Sequence, residues 1–125
     1  MINLQNLLAI VLLVILSNTV HASKVYIEGK IFFGPEAMYF IECNSEERWW
    51  LSSPTFNAQG WKNAKKLLDA QPRCDLDAMP CKHQEVVVSG AAVITDEGSF
   101  GHLGKYPRQI YFTSIQAKEN ESICK

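Results

Sequence analysis

One stretch of helical period, set between stretches of period two, constrains this chain more than any other feature. Within Ala58 to Ala70, Trp61, Ala64, Leu67 and Leu68 recur at helical spacing, while Lys62, Lys65 and Lys66 lie off that stripe. The pattern predicts one amphipathic helix of about three turns. Gly60 lowers helix propensity at its start, and Pro72 ends it. Before it, Lys24 to Phe33 alternates: Val25, Ile27, Ile31 and Phe33 share one face, and Tyr26, Glu28 and Lys30 share the other. That is a strand with one buried face. Ala37 to Cys43 reads as a second strand buried on both sides, and Arg48 to Leu51 as a short third, joined by the polar turn Asn44 to Glu47. After the helix, Glu85 to Thr95 forms a fourth strand, a glycine-rich loop spans Asp96 to Lys105, and Gln109 to Ala117 forms a fifth. In the fifth, Ile110 and Phe112 face opposite to Tyr111, Thr113 and Ile115.

Three strands, a helix and two strands make a mainly β class with one helix. This is the element order of a small five-stranded oligonucleotide/oligosaccharide-binding (OB) barrel, in which the helix plugs one end between strands three and four. Gly29 and Gly90 fall mid-strand, where closure demands sharp coiling. The competing architecture is an open α+β sheet with the helix packed on one face.

Residues 1–22 carry no Lys, Arg, Asp or Glu, and Leu7 to Leu16 is an unbroken apolar run. A membrane span needs about twenty apolar residues and a signal-peptide core about 7–15. Val20-His21-Ala22 then places residues of suitable size for cleavage after Ala22. The expectation is a signal peptide over 1–22 and a single disulfide-stabilised domain over 23–125, periplasmic or secreted, with no stable membrane span after cleavage. The rival is an uncleaved N-terminal anchor. Cys43, Cys74, Cys81 and Cys124 all lie beyond the cut, and an even count in a small exported domain reads as two disulfides. Three connectivities are open. Local spacing favours Cys74–Cys81, which leaves Cys43–Cys124. Cys74, Met79, Cys81 and His83 offer soft ligands to copper as the alternative, but an oxidising compartment consumes the thiols first. Neither a metal nor a cofactor is expected.

The stretch VVVSGAAVITDEGSFGHLGKYPRQIYFTSI, residues 86–115, resembles the C-terminal half of small exported bacterial proteins with an OB-type domain. The Val-rich strand ending near Gly90, the Gly101-His102-Leu103-Gly104 loop and Tyr106-Pro107-Arg108 carry that likeness. IEGKIFFGPEAMYFIEC loosely resembles the OB domain of envelope-stress lipoproteins, whose acylated Cys has no counterpart here. The resemblance implies fold and compartment rather than ligand.

With 12 Lys+Arg against 13 Asp+Glu, the chain lacks the basic excess that phosphate neutralisation requires, so nucleic acid is not an expected partner. Catalysis lacks a constellation. Ser99, His102, Asp96 and Glu97 are close in sequence, but no G-x-S-x-G elbow frames them. Gly98, Gly101 and Gly104 lack the Lys-Ser/Thr pair of a phosphate loop. The expectation is a non-enzymatic module that binds a protein or a glycan. A small secreted enzyme, or an oligomeric inhibitor or toxin-type subunit, is the alternative. OB barrels bind on the face of strands two and three, rimmed by neighbouring loops. The candidate binding residues are therefore Trp49, Trp50, Phe100, His102, Tyr106 and Arg108, with Tyr39 and Arg48 beside them. Only one of Trp49 and Trp50 can face inward; the outer one either recognises a ligand or packs under the 52–60 loop.

Overall fold

The computed structural model describes residues 22–34, 37–72, 83–118 and Cys124. All of the expected signal peptide but its last residue, Ala22, and the Cys74–Cys81 pair lie outside the described residues. Five strands, β1 (Ala22–Phe33), β2 (Met38–Glu42), β3 (Trp49–Leu51), β4 (Gln84–Thr95) and β5 (Gln109–Lys118), close into a barrel of order β1-β2-β3-β5-β4. One helix, α1 (Trp61–Asp69), stands between β3 and β4. The mainly β, OB-like architecture expected from the order of periods is the one observed, and the open α+β sheet is not.

β1 pairs with β4 along its whole length, from Ala22↔Thr95 to Phe33↔Gln84, but with β2 only from Gly29 onward. Its first half therefore overhangs the barrel. This corrects one expectation: Val25 is exposed, whereas Ile27 and Ile31 reach the core. The parallel pairing of Trp50 with Gln109 and Leu51 with Ile110 closes the ring. That seam is only a few residues long, and the chain after β3 continues it. The Thr55 hydroxyl, fully buried, accepts a hydrogen bond from the Phe112 N–H (3.1 Å), and the Gln59 carbonyl accepts one from the Ile115 N–H (2.8 Å). Side chain and main chain thus supply the partners that a longer third strand would have given β5.

Inside the barrel, Ile31, Phe40, Leu51, Val88, Ile110 and Phe112 are almost wholly excluded from solvent, and Trp61, Ala64 and Leu68 of α1 cap them from one end. Each large side chain buried this way contributes roughly 1.5–3 kcal/mol. Phe40 and Phe112 meet edge to face at 5.4 Å. Two glutamines tie α1 to β4. Gln71 Nε2 donates to the Leu67 and Glu85 carbonyls, and Gln84 Nε2 donates to those of Leu68 and Gln71. The carbonyls of Leu67, Leu68 and Gln71 lie at the helix C-terminus, where few intrahelical donors remain, and that of Glu85 lies in β4.

β5 does not keep a strict period of two. Its register against β4 shifts between Ala91 and Ala92, so that Thr113 is the extra, bulged residue. Beyond the bulge Ile115 turns inward, to 6 % exposure, instead of sharing a face with Tyr111. The Ala91 N–H and carbonyl at the bulge are met by the Ser114 hydroxyl (3.4 Å) and the Thr113 hydroxyl (3.3 Å). Gly60, rather than weakening α1, is required where it stands. It is the N-cap at φ 90°, and a Cβ there would run into the Ile115 carbonyl.

Cys43 follows β2 and is disulfide-bonded to Cys124. Among the described residues no helix is long and apolar enough to cross a membrane.

Candidate functional site

The outer face of β2 and β3 carries an aromatic cluster separate from the core. Adjacent residues of a strand face opposite sides, so Phe40 fills the barrel while Tyr39 points out of it. Tyr39 is nonetheless only 5 % exposed, because side chains cover it on all sides. Phe32 stacks on its ring at 5.0 Å, Tyr106 lies 6.5 Å away, and the Arg48 guanidinium sits 4.8 Å over the ring centroid. Its hydroxyl meets His83 Nδ1 at 3.4 Å. Burial pushes the Tyr39 phenol above its ordinary pKa, with the Arg48 charge pulling the other way. The cation over the ring is the favourable face-on arrangement.

The same alternation separates the two tryptophans. Trp49 faces the core at 8 % exposure, its indole N–H donating to Glu47 Oε1 at 2.6 Å. Trp50 faces outward beside Tyr106, with ring centroids 5.3 Å apart. The segment over Trp50 is the loop between β4 and β5, not the 52–60 loop.

That loop is a built structure. Phe100 and Tyr106 exchange two backbone hydrogen bonds (2.9 and 3.1 Å), the Gly98 N–H donates to the Pro107 carbonyl, and the Gly104 N–H donates to that of Gly101. Between them the chain turns through Gly101 (φ 71°), Leu103 (φ 58°) and Gly104 (φ 63°). Leu103 at the tip is 75 % exposed, the most exposed large apolar side chain among the described residues. His102 is exposed next to it.

Of the six residues singled out from the sequence, the fold brings Trp50, Phe100, Tyr106 and His102 into one surface. Trp49 is a core residue. Arg108 is a tether: Nη1 donates to the Thr95 carbonyl at 3.0 Å, and Nε lies 3.8 Å from Glu47 Oε1. Sequence reasoning missed Leu103, although a lone large aliphatic between two glycines in a polar loop was a signal in plain view. It also missed Phe32 and His83 as neighbours of Tyr39: Phe32 is its cross-strand partner in the β1–β2 hairpin, a pairing that depends on the register of the turn, and no local pattern links His83, 44 positions away. Among the described residues no group of three or more His, Cys, Asp or Glu side chains could hold a metal ion.

Comparison with protein-family models, curated proteins and solved structures returned no match.

Proposed function

We propose that this chain is an exported, non-enzymatic binding module that captures a protein through the tip of the 98–108 loop. One observation carries the reading: Leu103 holds a left-handed backbone that costs an aliphatic residue free energy, and presents its side chain to solvent. Strain of that kind in a well-built loop marks a functional position more often than an idle one. An exposed apolar side chain on a surface that also carries aromatic rings has the composition of a protein-recognition hot spot. Trp50 and Tyr106 buttress the loop from below, so the tip is held in place before a partner arrives. Export rests on the apolar run Leu7 to Leu16 and on the Cys43–Cys124 disulfide, which belongs to an oxidising compartment. The likeness to small exported OB-type proteins supports the same compartment.

The test is photocrosslinking. A benzophenone amino acid at Lys105, within reach of a partner seated on Leu103, should give a discrete protein adduct in envelope or extracellular extract of the source cells. Leu103→Asp in the same chain should abolish it without lowering the melting temperature. An adduct that survives Leu103→Asp, or none at all from the folded protein, rejects the reading.

A further inference from the structure

A groove of about 300 Å³ crosses the outside of the barrel over β1, β4 and β5. Tyr26, Gln59, Ser89, Ser114 and Gln116 line it, and none of them carries a charge. Its floor lies at the bulge. A Cβ at Gly90 would run into the Ser114 carbonyl, and one at Gly60 into that of Ile115, so the two glycines let β4, β5 and the start of α1 close together. Ser89 alternates with Val88 of the core and therefore lies on the outer side of β4. It is fully buried, and its hydroxyl is the one buried side-chain polar atom without a hydrogen-bond partner among the described residues. Folded proteins rarely leave such a group unpaired.

The geometry points to this groove as a binding site for a neutral sugar. A lining of hydroxyls and amides offers donors and acceptors in equal measure with no charge to favour an ion. Tyr26 is 69 % exposed and offers an aromatic face to the C–H side of a pyranose ring. An extended peptide fits less well. β4 is paired on both sides, to β1 and β5, and β5 is met on its other edge by β3 and Gln59, while the unpaired edge of β1 before Gly29 faces away from β4, so the strands under the groove offer a backbone little to join. Recognition must come from side chains, and the volume sits at the small end of ligand pockets, suited to one or two sugar rings. The site is independent of the Leu103 loop and does not rest on the protein-capture reading.

The experiment uses ¹H–¹⁵N NMR titration with glucose, galactose and N-acetylglucosamine, and glucuronate as the anionic control. At least one neutral sugar should shift the Ser89, Gly90 and Gln116 amides saturably. Ser89→Ala and Tyr26→Ala should each weaken that binding about tenfold or more. Ser89→Ala should leave the melting temperature unchanged or higher, because it removes an unpaired buried hydroxyl. Leu103→Asp should bind the sugar as the wild type does. The inference is overturned if no neutral sugar shifts these amides at tens of millimolar, if the shifts map to Trp50 and Tyr106, or if both groove variants bind normally. It is equally overturned if glucuronate binds as well as the neutral sugars do.

Discussion

Gly101 lies against the indole of Trp50. A Cβ at position 101 would stand 2.5 Å from Trp50 Cε3 and 2.9 Å from Tyr106 Cδ2. The contact couples the β4–β5 loop to β3, far apart in sequence, and explains how a polar, glycine-rich loop acquires one fixed shape. The backbone at Gly101 is also left-handed, at φ 71°. Gly101→Ala therefore meets both strain and collision, and should lower stability by roughly 1–3 kcal/mol. Near-ultraviolet circular dichroism should report the displaced Trp50–Tyr106 pair. Gly98→Ala is the control. Its Cβ would meet only the edge of the Phe100 ring, a side chain free to swing aside, and its denaturation midpoint should fall less.

Leu103 permits a separation of stability from binding. A left-handed non-glycine residue costs about 1–2 kcal/mol, and glycine returns part of that gain through its larger unfolded-state entropy, about 0.5–1 kcal/mol. Leu103→Gly should thus keep or raise stability, by up to about 1.5 kcal/mol, while removing the exposed apolar side chain. Crosslinking from position 105 should then be lost in a protein at least as stable as the wild type. A fall in stability with crosslinking intact would show that Leu103 serves the loop rather than a partner.

Much of the barrel was legible because each long strand has one face in the core, and burial writes a period of two into the sequence. Ile27 and Ile31, and Ile110 and Phe112, are inward as the alternation indicates, whereas β4 carries no such signal, because Val86, Val87 and Val88 are consecutive and all buried. The exceptions have local causes. Val25 lies where β1 outruns β2, so that a correct alternation has no core beneath it. Ile115 lies past a bulge, and one extra residue exchanges the two faces of a strand. The candidate site was less legible. That one of the adjacent tryptophans faces outward follows from strand geometry, but which one does depends on where β3 enters the barrel. Arg108 illustrates the same limit: its type suits recognition, and only the tertiary fold shows it engaged with Thr95 and Glu47.

Tyr39 links the aromatic cluster to pH. Its phenol is pushed above the ordinary value of 10.0, first by burial and against the opposing pull of Arg48. The folded protein therefore holds this proton more tightly than the unfolded chain does. The resulting stability is fully present below about pH 10 and is lost as pH rises through the folded-state value. Absorbance at the tyrosinate band should show one tyrosine titrating later than the rest, and Tyr39→Phe should remove that late step. Above pH 10, wild-type stability should fall with a component that Tyr39→Phe lacks. An unchanged late step in the variant would assign it to another tyrosine.

Cys43 and Cys124 are 81 positions apart in sequence, so their bond closes a loop through β3, α1, β4 and β5. In the chain-entropy account such a link restricts the unfolded ensemble and stabilises the fold by about 4.5 kcal/mol. The double variant Cys43→Ser/Cys124→Ser isolates this bond, whereas a reductant would also reach any bond between Cys74 and Cys81. Equilibrium denaturation should show a loss of several kcal/mol, together with a steeper denaturant dependence because the unlinked chain exposes more surface on unfolding. The barrel ladders and the Leu103 loop do not contain the sulfurs. At temperatures well below its midpoint the variant should therefore retain the native near-ultraviolet signal of Trp50 and Tyr106 and the crosslink from position 105. A variant of unchanged stability would mean that the unfolded chain already keeps the two ends close, and that the bond adds little to what the strands of the barrel hold in place.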